Sequence, residues 1–270
     1  MRTISFLNEY KIVGSEQDQY YQRLPGHDLS SLYTFISRHR EQIAPKAILD
    51  VGANIGLSAL CFHDVFPLAG VEAFEPSRVS GSFCEINLEN ARQTIPGGAM
   101  TLHRCAVGAA EGRARFVDDE SYLAGSALGD GPGAYDVPMT SIDEFCRTRG
   151  APAVGFIKID VEGLEIEVLK GAAKTIARCD PVVFFEFNPW VLYKGGVPAA
   201  TFLSEAEALL GPLGYVEALS GLVHPLPSGG DAAAAALEAA MTEETRLFDL
   251  VNRPDIWGGD KSRPGGPPPS

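Results

Sequence analysis

Carboxylates stand at or near the ends of three apolar runs in this chain: Glu75 after Val71–Phe74, Asp160 after Val154–Ile159, and Glu186 within Pro181–Phe187. A carboxylate in such a place can grip a sugar hydroxyl, accept a proton or ligate a hard cation. A turn sets the frame for the first of them. In Ala47-Ile-Leu-Asp50-Val-Gly52-Ala53-Asn54-Ile-Gly56, an apolar run leads into two glycines and then into the apolar pattern of a helix. Glycine permits close backbone approach, and the N–H groups that open a helix suit polar or anionic ligand groups. Glu75 lies about twenty residues beyond the glycine turn, the separation at which an acidic residue holds a ribose diol. Pro76 keeps the chain from entering a helix at once. Nothing here matches Gly-x-Gly-x-x-Gly, and no Lys follows as a phosphate-binding loop requires, so nicotinamide and nucleoside triphosphate sites lose ground.

Asp160, Glu186 and Asn188 come to the carboxyl ends of two strands, the edge where open α/β sheets bind ligands. An alcohol that is to react as a nucleophile gains from a base or from a cation that acidifies it. Oxygen donors of this type suit Mg²⁺ or Ca²⁺, but three residues grouped by position alone favour Asp160 as proton acceptor or substrate orienter over a metal site. The competing assignments are a helix cap for Asp160 and a Lys or Arg partner for Glu186. Cys105-Ala106-Val107 ends a third run, where an adenine ring would sit if Glu75 held the ribose. Ala106 and Val107 serve equally well as core residues.

The elements that must position these groups alternate. Strands are expected at 47–51, 70–74, 100–107, 154–160, 181–187, 215–219 and 246–252, and helices at 57–66, 78–93, 199–210 and 231–240. Ser141-Ile-Asp-Glu144 forms a capping box opening a helix to about Arg149, and Glu162 and Glu165 fall in the first turn of the helix after Asp160, where carboxylates are favourable. Segment 108–138 breaks the rhythm and reads as a long loop and candidate lid, with a short strand at 113–118. Residues 1–46 read as a helical arm or cap, with Asp28 capping a helix that shows Leu29, Leu32, Tyr33 and Ile36 on one face. Tyr20, Tyr21, Arg23 and His27 flank the Pro25-Gly26 turn, which could lie over the pocket. Residues 258–270, rich in Pro and Gly, are expected to be disordered.

A chain of 270 residues with 45% hydrophobic content suits one large domain, here 47–257, with elaborations. Its net charge of −13 argues against a nucleic-acid substrate and for a small or neutral one. No secretory signal or membrane-spanning run is present, so the expectation is a soluble, cytoplasmic protein without a membrane partner. The five cysteines and five histidines form no metal or disulfide motif and read as buried thiols and structural or surface imidazoles.

Three stretches taken together, Leu49–Gly56, Ala73-Phe74-Glu75-Pro76, and Ile157-Lys158-Ile159-Asp160-Val161-Glu162-Gly163-Leu164-Glu165 with Leu169-Lys170-Gly171-Ala172, resemble the FkbM family of S-adenosylmethionine-dependent methyltransferases. Asn54 stands at the usual central glycine of the first motif, and Asn tolerates positive φ better than other non-glycine residues. The resemblance implies a Rossmann-like α/β fold whose seven-stranded sheet has one antiparallel strand, supplied by 246–252, with helices on both faces. It implies methyl transfer from S-adenosyl-L-methionine to a hydroxyl of a natural product or sugar. Gly52, Ala53, Asn54 and Gly56 would wrap the methionine part of the cofactor, Asp50 would support that loop, and Glu75 would bind the ribose. A nicotinamide- or nucleotide-sugar-dependent oxidoreductase and a non-catalytic binding module of the same fold are the alternatives.

Overall fold

The computed structural model describes residues 2–7, 10–24, 31–242 and 245–257. In chain order its strands are β1 (Arg2–Phe6), β2 (Tyr10–Gly14), β3 (Ala47–Val51), β4 (Gly70–Phe74), β5 (Met100–His103), β6 (Ala106–Val107), β7 (Gly112–Val117), β8 (Ala127–Leu128), β9 (Tyr135–Thr140), β10 (Val154–Ile159), β11 (Val182–Phe187), β12 (Leu213–Val216), β13 (Val223–Pro225) and β14 (Phe248–Asn252). The large sheet has the order β5-β4-β3-β10-β11-β14-β12-β13. From β5 to β11 every pairing is parallel. β14 runs antiparallel to both its neighbours, β11 and β12. The expected pattern of six codirectional strands and one reversed strand is therefore present, in a Rossmann-like α/β fold. β13 adds an eighth strand, hairpinned on β12.

Central strands of such a sheet are buried on both faces, which is why β10 and β11 are made mostly of Val, Ile and Phe, broken only by Gly155, Lys158 and Glu186. Successive side chains point to opposite faces, and two cores result. Ile48, Phe156 and Phe184 pack on one side with helices Ser31–Arg38, Leu57–Val65 and Arg78–Thr94. Leu49, Ile157 and Phe185 pack on the other with helices Ile142–Thr148, Glu165–Lys170, Ala199–Leu210 and Gly230–Ala240. The chain builds outward from β3 to β5 and then crosses back to place β10 on the other flank of β3, so the strand order reverses there. That switch point opens a crevice at the carboxyl ends of β3 and β10.

Several expectations require correction. The single strand expected at 100–107 is two: Cys105 N–H donates to the His103 carbonyl oxygen at 2.9 Å, the chain turns, and β6 leaves the large sheet to pair with β9. The 108–138 segment is more ordered than a loop with one short strand: beside β7, close to the strand expected at 113–118, it holds β8 and the start of β9, and with β6 these form a second sheet with its own small core of Ala106, Phe116 and Val137. The arm expected to be helical contains the antiparallel hairpin β1–β2 as well as helices Gln19–Arg23, Ser31–Arg38 and Arg40–Ile43. Its Phe6, Ile12, Phe35 and Ile36 share a core with Ile48 and Phe62, so this segment is built into the domain. The strand expected at 215–219 is shifted to β12. Cys105 and Cys179 are half-buried, while Cys61, Cys84 and Cys146 are buried. Pro25, Gly26, His27, Asp28, Leu29 and residues 258–270 lie outside the described residues. Among the described residues, no helix is long and apolar enough to cross a membrane.

Candidate active site

The turn after β3 takes its shape from its neighbours. Gly52, Asn54 and Gly56 all have positive φ, at 79°, 49° and 95°. At Gly52 the reason is twofold: a Cβ there would lie 1.8 Å from the Asp160 carbonyl oxygen, so only glycine lets the ends of β3 and β10 approach this closely. The N–H groups of Gly52 and Ala53 both donate to the Phe74 carbonyl oxygen at 3.0 Å, tying the turn to the end of β4. A Cβ on Gly56 would sit 3.1 Å from Cys84 Sγ, in the helix that packs behind the turn.

Lys158 stiffens this turn from below. Its Nζ donates to the Gly52 carbonyl oxygen at 2.7 Å and lies 3.6 Å from Asp50 Oδ1 and 3.4 Å from Asp160 Oδ2. Burial opposes its charge, but the flanking Asp160 and Asp50 outweigh it and hold the ammonium above its ordinary pKa. Asp50 is fully buried, and its other oxygen accepts from Ser58 Oγ at 2.6 Å. Asp50 thus supports the turn through Lys158 and Ser58.

Glu75 ends β4 with both carboxylate oxygens aimed back at the chain. Oε2 accepts from Asn54 N–H at 2.8 Å and Oε1 from Ser77 N–H at 2.7 Å. A carboxylate offers about four acceptor sites, so lone pairs remain for ligand hydroxyls. Burial pushes this carboxyl up to about 7 against the pull of those two N–H groups.

Above these groups lies a cavity of about 810 Å³. It brings together Gly52, Ala53, Asn54, Glu75, Ala106, Asp160, Glu186 and Asn188, while Asp50 and Gly56 are not among its lining residues. Ala106 and Val107 are buried and also line the cavity, so core and pocket roles coincide. Tyr20 and Leu123 belong to its wall, and Asp18 staples them together: its carboxylate accepts from Tyr20, Tyr21 and Leu123 N–H at 3.2, 3.1 and 3.0 Å. The 108–138 segment thus reaches the pocket, through Leu123–Leu128. Ser77 and Tyr135 hydroxyls both hold Asp118, which anchors the small sheet beside Glu75.

The far end of the cavity is acidic. Asp160, 42% exposed at its side chain, pairs with Lys158 and does not cap the following helix. Glu165 holds that turn instead, accepting from Val161 and Gly163 N–H at 3.0 and 3.1 Å. Glu162 is not in the helix at all. It sits in the preceding turn at φ 56°, where burial, then Asp160 and Glu165, push its carboxyl up to about 8. Glu186 has no cation partner among the described residues, and its buried Oε2 makes no hydrogen bond. Burial, then Asp160 and Glu162, push Glu186 up to about 10. Asn188 caps the next helix, accepting from Val191 N–H at 3.3 Å. Among the described residues, no group of three or more His, Cys, Asp or Glu side chains is arranged to hold a metal ion.

Sequence reasoning missed Lys158 and Asp249. Asp249, on β14, lines the cavity and is bonded by the Ser31 hydroxyl, and burial pushes it up to about 6. Both are charged residues inside apolar strands, Phe156-Ile-Lys158-Ile and Phe248-Asp249-Leu. That placement is itself a signal, because a charge in a buried strand must have a partner.

The family model for the methyltransferase FkbM domain matches residues 50–216. The chain is 27% identical over 176 residues to the 2-O-methyltransferase NoeI of Sinorhizobium fredii, covering 58% of this chain and 69% of that one. It is 30% identical over 167 residues to the 31-O-demethyl-FK506 methyltransferase FkbM of Streptomyces tacrolimicus, covering 50% of this chain and 62% of that one. A crystal structure of methyltransferase FkbM from Methylobacillus flagellatus aligns with a TM-score of 0.48 at 18% identity, over 89% of this chain and 48% of that chain.

Proposed function

The chain belongs to the FkbM family of methyltransferases, and we propose that it transfers the methyl group of S-adenosyl-L-methionine to a hydroxyl oxygen of a small molecule, a natural product or a sugar. One observation carries the cofactor assignment. Glu75 stands at the end of β4, next to the switch-point strand β3, bonded to the turn that Gly52 and Asn54 form, on a cavity that continues to the apolar Cys105-Ala106-Val107. Ribose, methionine and adenine portions each have a complementary wall. Crowded carboxylates also fit a cationic ligand, since a positive charge among them offsets the burial, and after it the repulsion, that raise Glu162 and Glu186. Asn54 Oδ1, buried without a hydrogen bond among the described residues, is a further acceptor on this wall.

When bound, S-adenosyl-L-methionine supplies an electrophilic methyl group on sulfur. The chain's residues do the rest. Glu75 orients the nucleoside end, and the turn that Lys158 and Asp50 stiffen fixes the methionine end. Tyr20 and Leu123, held by Asp18, exclude water from the reacting atoms. Asp160 faces the same space from the end of β10 and accepts the acceptor's hydroxyl proton, or orients that hydroxyl, with Lys158 fixing the carboxylate at 3.4 Å. A positioned base contributes roughly 10²- to 10⁴-fold in rate, and alignment the larger share. The names of NoeI and the Streptomyces relative, both O-methyltransferases, support oxygen as the acceptor atom. Incubation of the protein with labelled cofactor and a panel of hydroxylated metabolites, followed by mass spectrometry, tests this reading. Label on an oxygen is the expected result, and label only on nitrogen or carbon would refute it.

A further inference from the structure

Trp190 departs from the way this fold treats its large aromatics. Phe184, Phe185 and Phe187 on the preceding strand are buried, whereas Trp190 is 62% exposed and Tyr193 76% exposed. Their rings stack, with centroids 6.1 Å apart and planes inclined by 23°. The helix carrying them, Pro189–Lys194, starts directly beyond Glu186 and the Asn188 cap. Trp190 therefore stands on the wall of the active-site cavity together with Val191, Lys194 and the half-exposed Leu247. Trp190, Val191 and Leu247 thus give apolar wall to the same cavity that Asp160, Glu162 and Glu186 line. Exposed aromatic surface beside a polar-floored pocket marks a ligand contact.

The charges on both sides narrow the ligand. Asp160, Glu162 and Glu186 crowd one cavity where burial, then neighbouring carboxylates, already push Glu162 and Glu186 toward their protonated forms, so an anionic acceptor there would meet Asp160 in the same desolvated space. An ammonium group fails for a different reason: Lys194 Nζ already lies 5.4 Å from the Trp190 ring centroid and would repel a second cation at the platform. What remains is a neutral group with one apolar face and hydroxyls at its edge. Glu186 Oε2, buried and without a hydrogen bond among the described residues, has a use for such a hydroxyl.

Resting on the methyltransferase reading above, we propose that Trp190 is the docking platform for the methyl acceptor and that the acceptor presents an uncharged, polyhydroxylated ring, a neutral pyranoside in its simplest form. The hydrocarbon face of the ring lies on the indole, and its edge hydroxyls reach Asp160, Glu162 and Glu186.

The test uses the full chain saturated with S-adenosylhomocysteine. Methyl glycosides of neutral hexoses and 6-deoxyhexoses, the matching hexuronates and the matching amino sugars are titrated in, with binding read by calorimetry and indole fluorescence. At least one neutral glycoside is expected to bind, with its uronate and amino counterparts at least tenfold weaker. Trp190→Ala should weaken that binding roughly threefold to tenfold, the range for one aromatic packing contact, and Trp190→Phe should restore most of it. Exposure of Trp190 makes misfolding a poor explanation for such a loss. Absence of any neutral binder, equal or tighter binding of a charged counterpart, or an unchanged Trp190→Ala affinity overturns the proposal. If S-adenosylhomocysteine itself fails to bind, the methyltransferase reading falls and takes the platform with it. If it binds while the platform arms fail, only the platform is lost.

Discussion

Lys158 Nζ reaches across from β10 to the carbonyl oxygen of Gly52 at 2.7 Å, so a buried ammonium holds the turn that follows β3. The same ammonium is the counter-charge to Asp50, which is fully buried. Lys158→Met should therefore destabilise the protein by roughly 3 to 5 kcal/mol, the usual result of leaving a buried charge unpaired. Asp50→Asn in that background should recover part of the loss, since no orphan charge remains. Urea unfolding of both variants checks this, and a Lys158→Met midpoint equal to wild type would refute it.

Gly52→Ala should be far more damaging than an alanine at another left-handed glycine. Its Cβ would stand 1.8 Å from the Asp160 carbonyl oxygen, whereas a Cβ on Gly196, at φ 71°, meets nothing within 4 Å. Gly196→Ala should cost only about 1 to 2 kcal/mol of backbone strain. Gly52→Ala should also abolish cofactor binding, because β3 and β10 can no longer close on each other. Equal melting temperatures for the two variants would contradict this reading of the turn.

What the sequence revealed, and what it hid, follows from the range of the interactions involved. Ala47–Val51, Gly70–Phe74 and Ala199–Leu210 were legible to the residue, because periodicity and turn residues are local. Glu75 and Asp160 were placed at strand ends for the same reason. Which sheet a strand joins is not local, so β6 looked like the end of β5 although its partner, Met139 and Thr140, lies more than thirty residues away. The β1–β2 hairpin does carry a local signal: Tyr10 and Ile12 are buried around exposed Lys11, the alternation of a strand. Glu162 reads in sequence as the first turn of a helix, yet its φ of 56° sets it in the turn before one, a backbone state that no local pattern marks at a Glu.

The acidic cavity sets a pH dependence whose sign can be worked out. Glu75, Glu162 and Glu165, ordinarily near 4.5, are raised to about 7, 8 and 7 in the fold, chiefly by burial. Between those limits the folded chain holds more protons than the unfolded one, so stability falls as pH rises through that window. The melting temperature of the ligand-free protein should drop from pH 5 to pH 8.5. Saturating S-adenosyl-L-methionine, as a cation, should raise it more at pH 8.5 than at pH 5. A ligand-free melting temperature that climbs across the window would contradict the burial of these groups.

Asp160→Asn should lower turnover by roughly 10²-fold or more if Asp160 takes the acceptor proton. Cofactor affinity should change little, because neither the Glu75 bonds nor the Gly52–Lys158 bond involves the Asp160 side chain. Turnover near wild type would remove Asp160 from the chemistry. Separately, activity lost to a chelator and restored by Mg²⁺ would assign the proton step to a cation instead.

The most direct test of the central claim is a calorimetric titration of wild type and Glu75→Ala with S-adenosyl-L-methionine and, in parallel, with NAD. Wild type should bind S-adenosyl-L-methionine at one site per chain and NAD not at all. Glu75→Ala should bind the methyl donor about tenfold or more weakly, the equivalent of roughly 1.5 to 3 kcal/mol for a lost charge-assisted hydrogen bond. NAD binding in place of S-adenosyl-L-methionine, or a folded Glu75→Ala variant with undiminished affinity, would contradict the account.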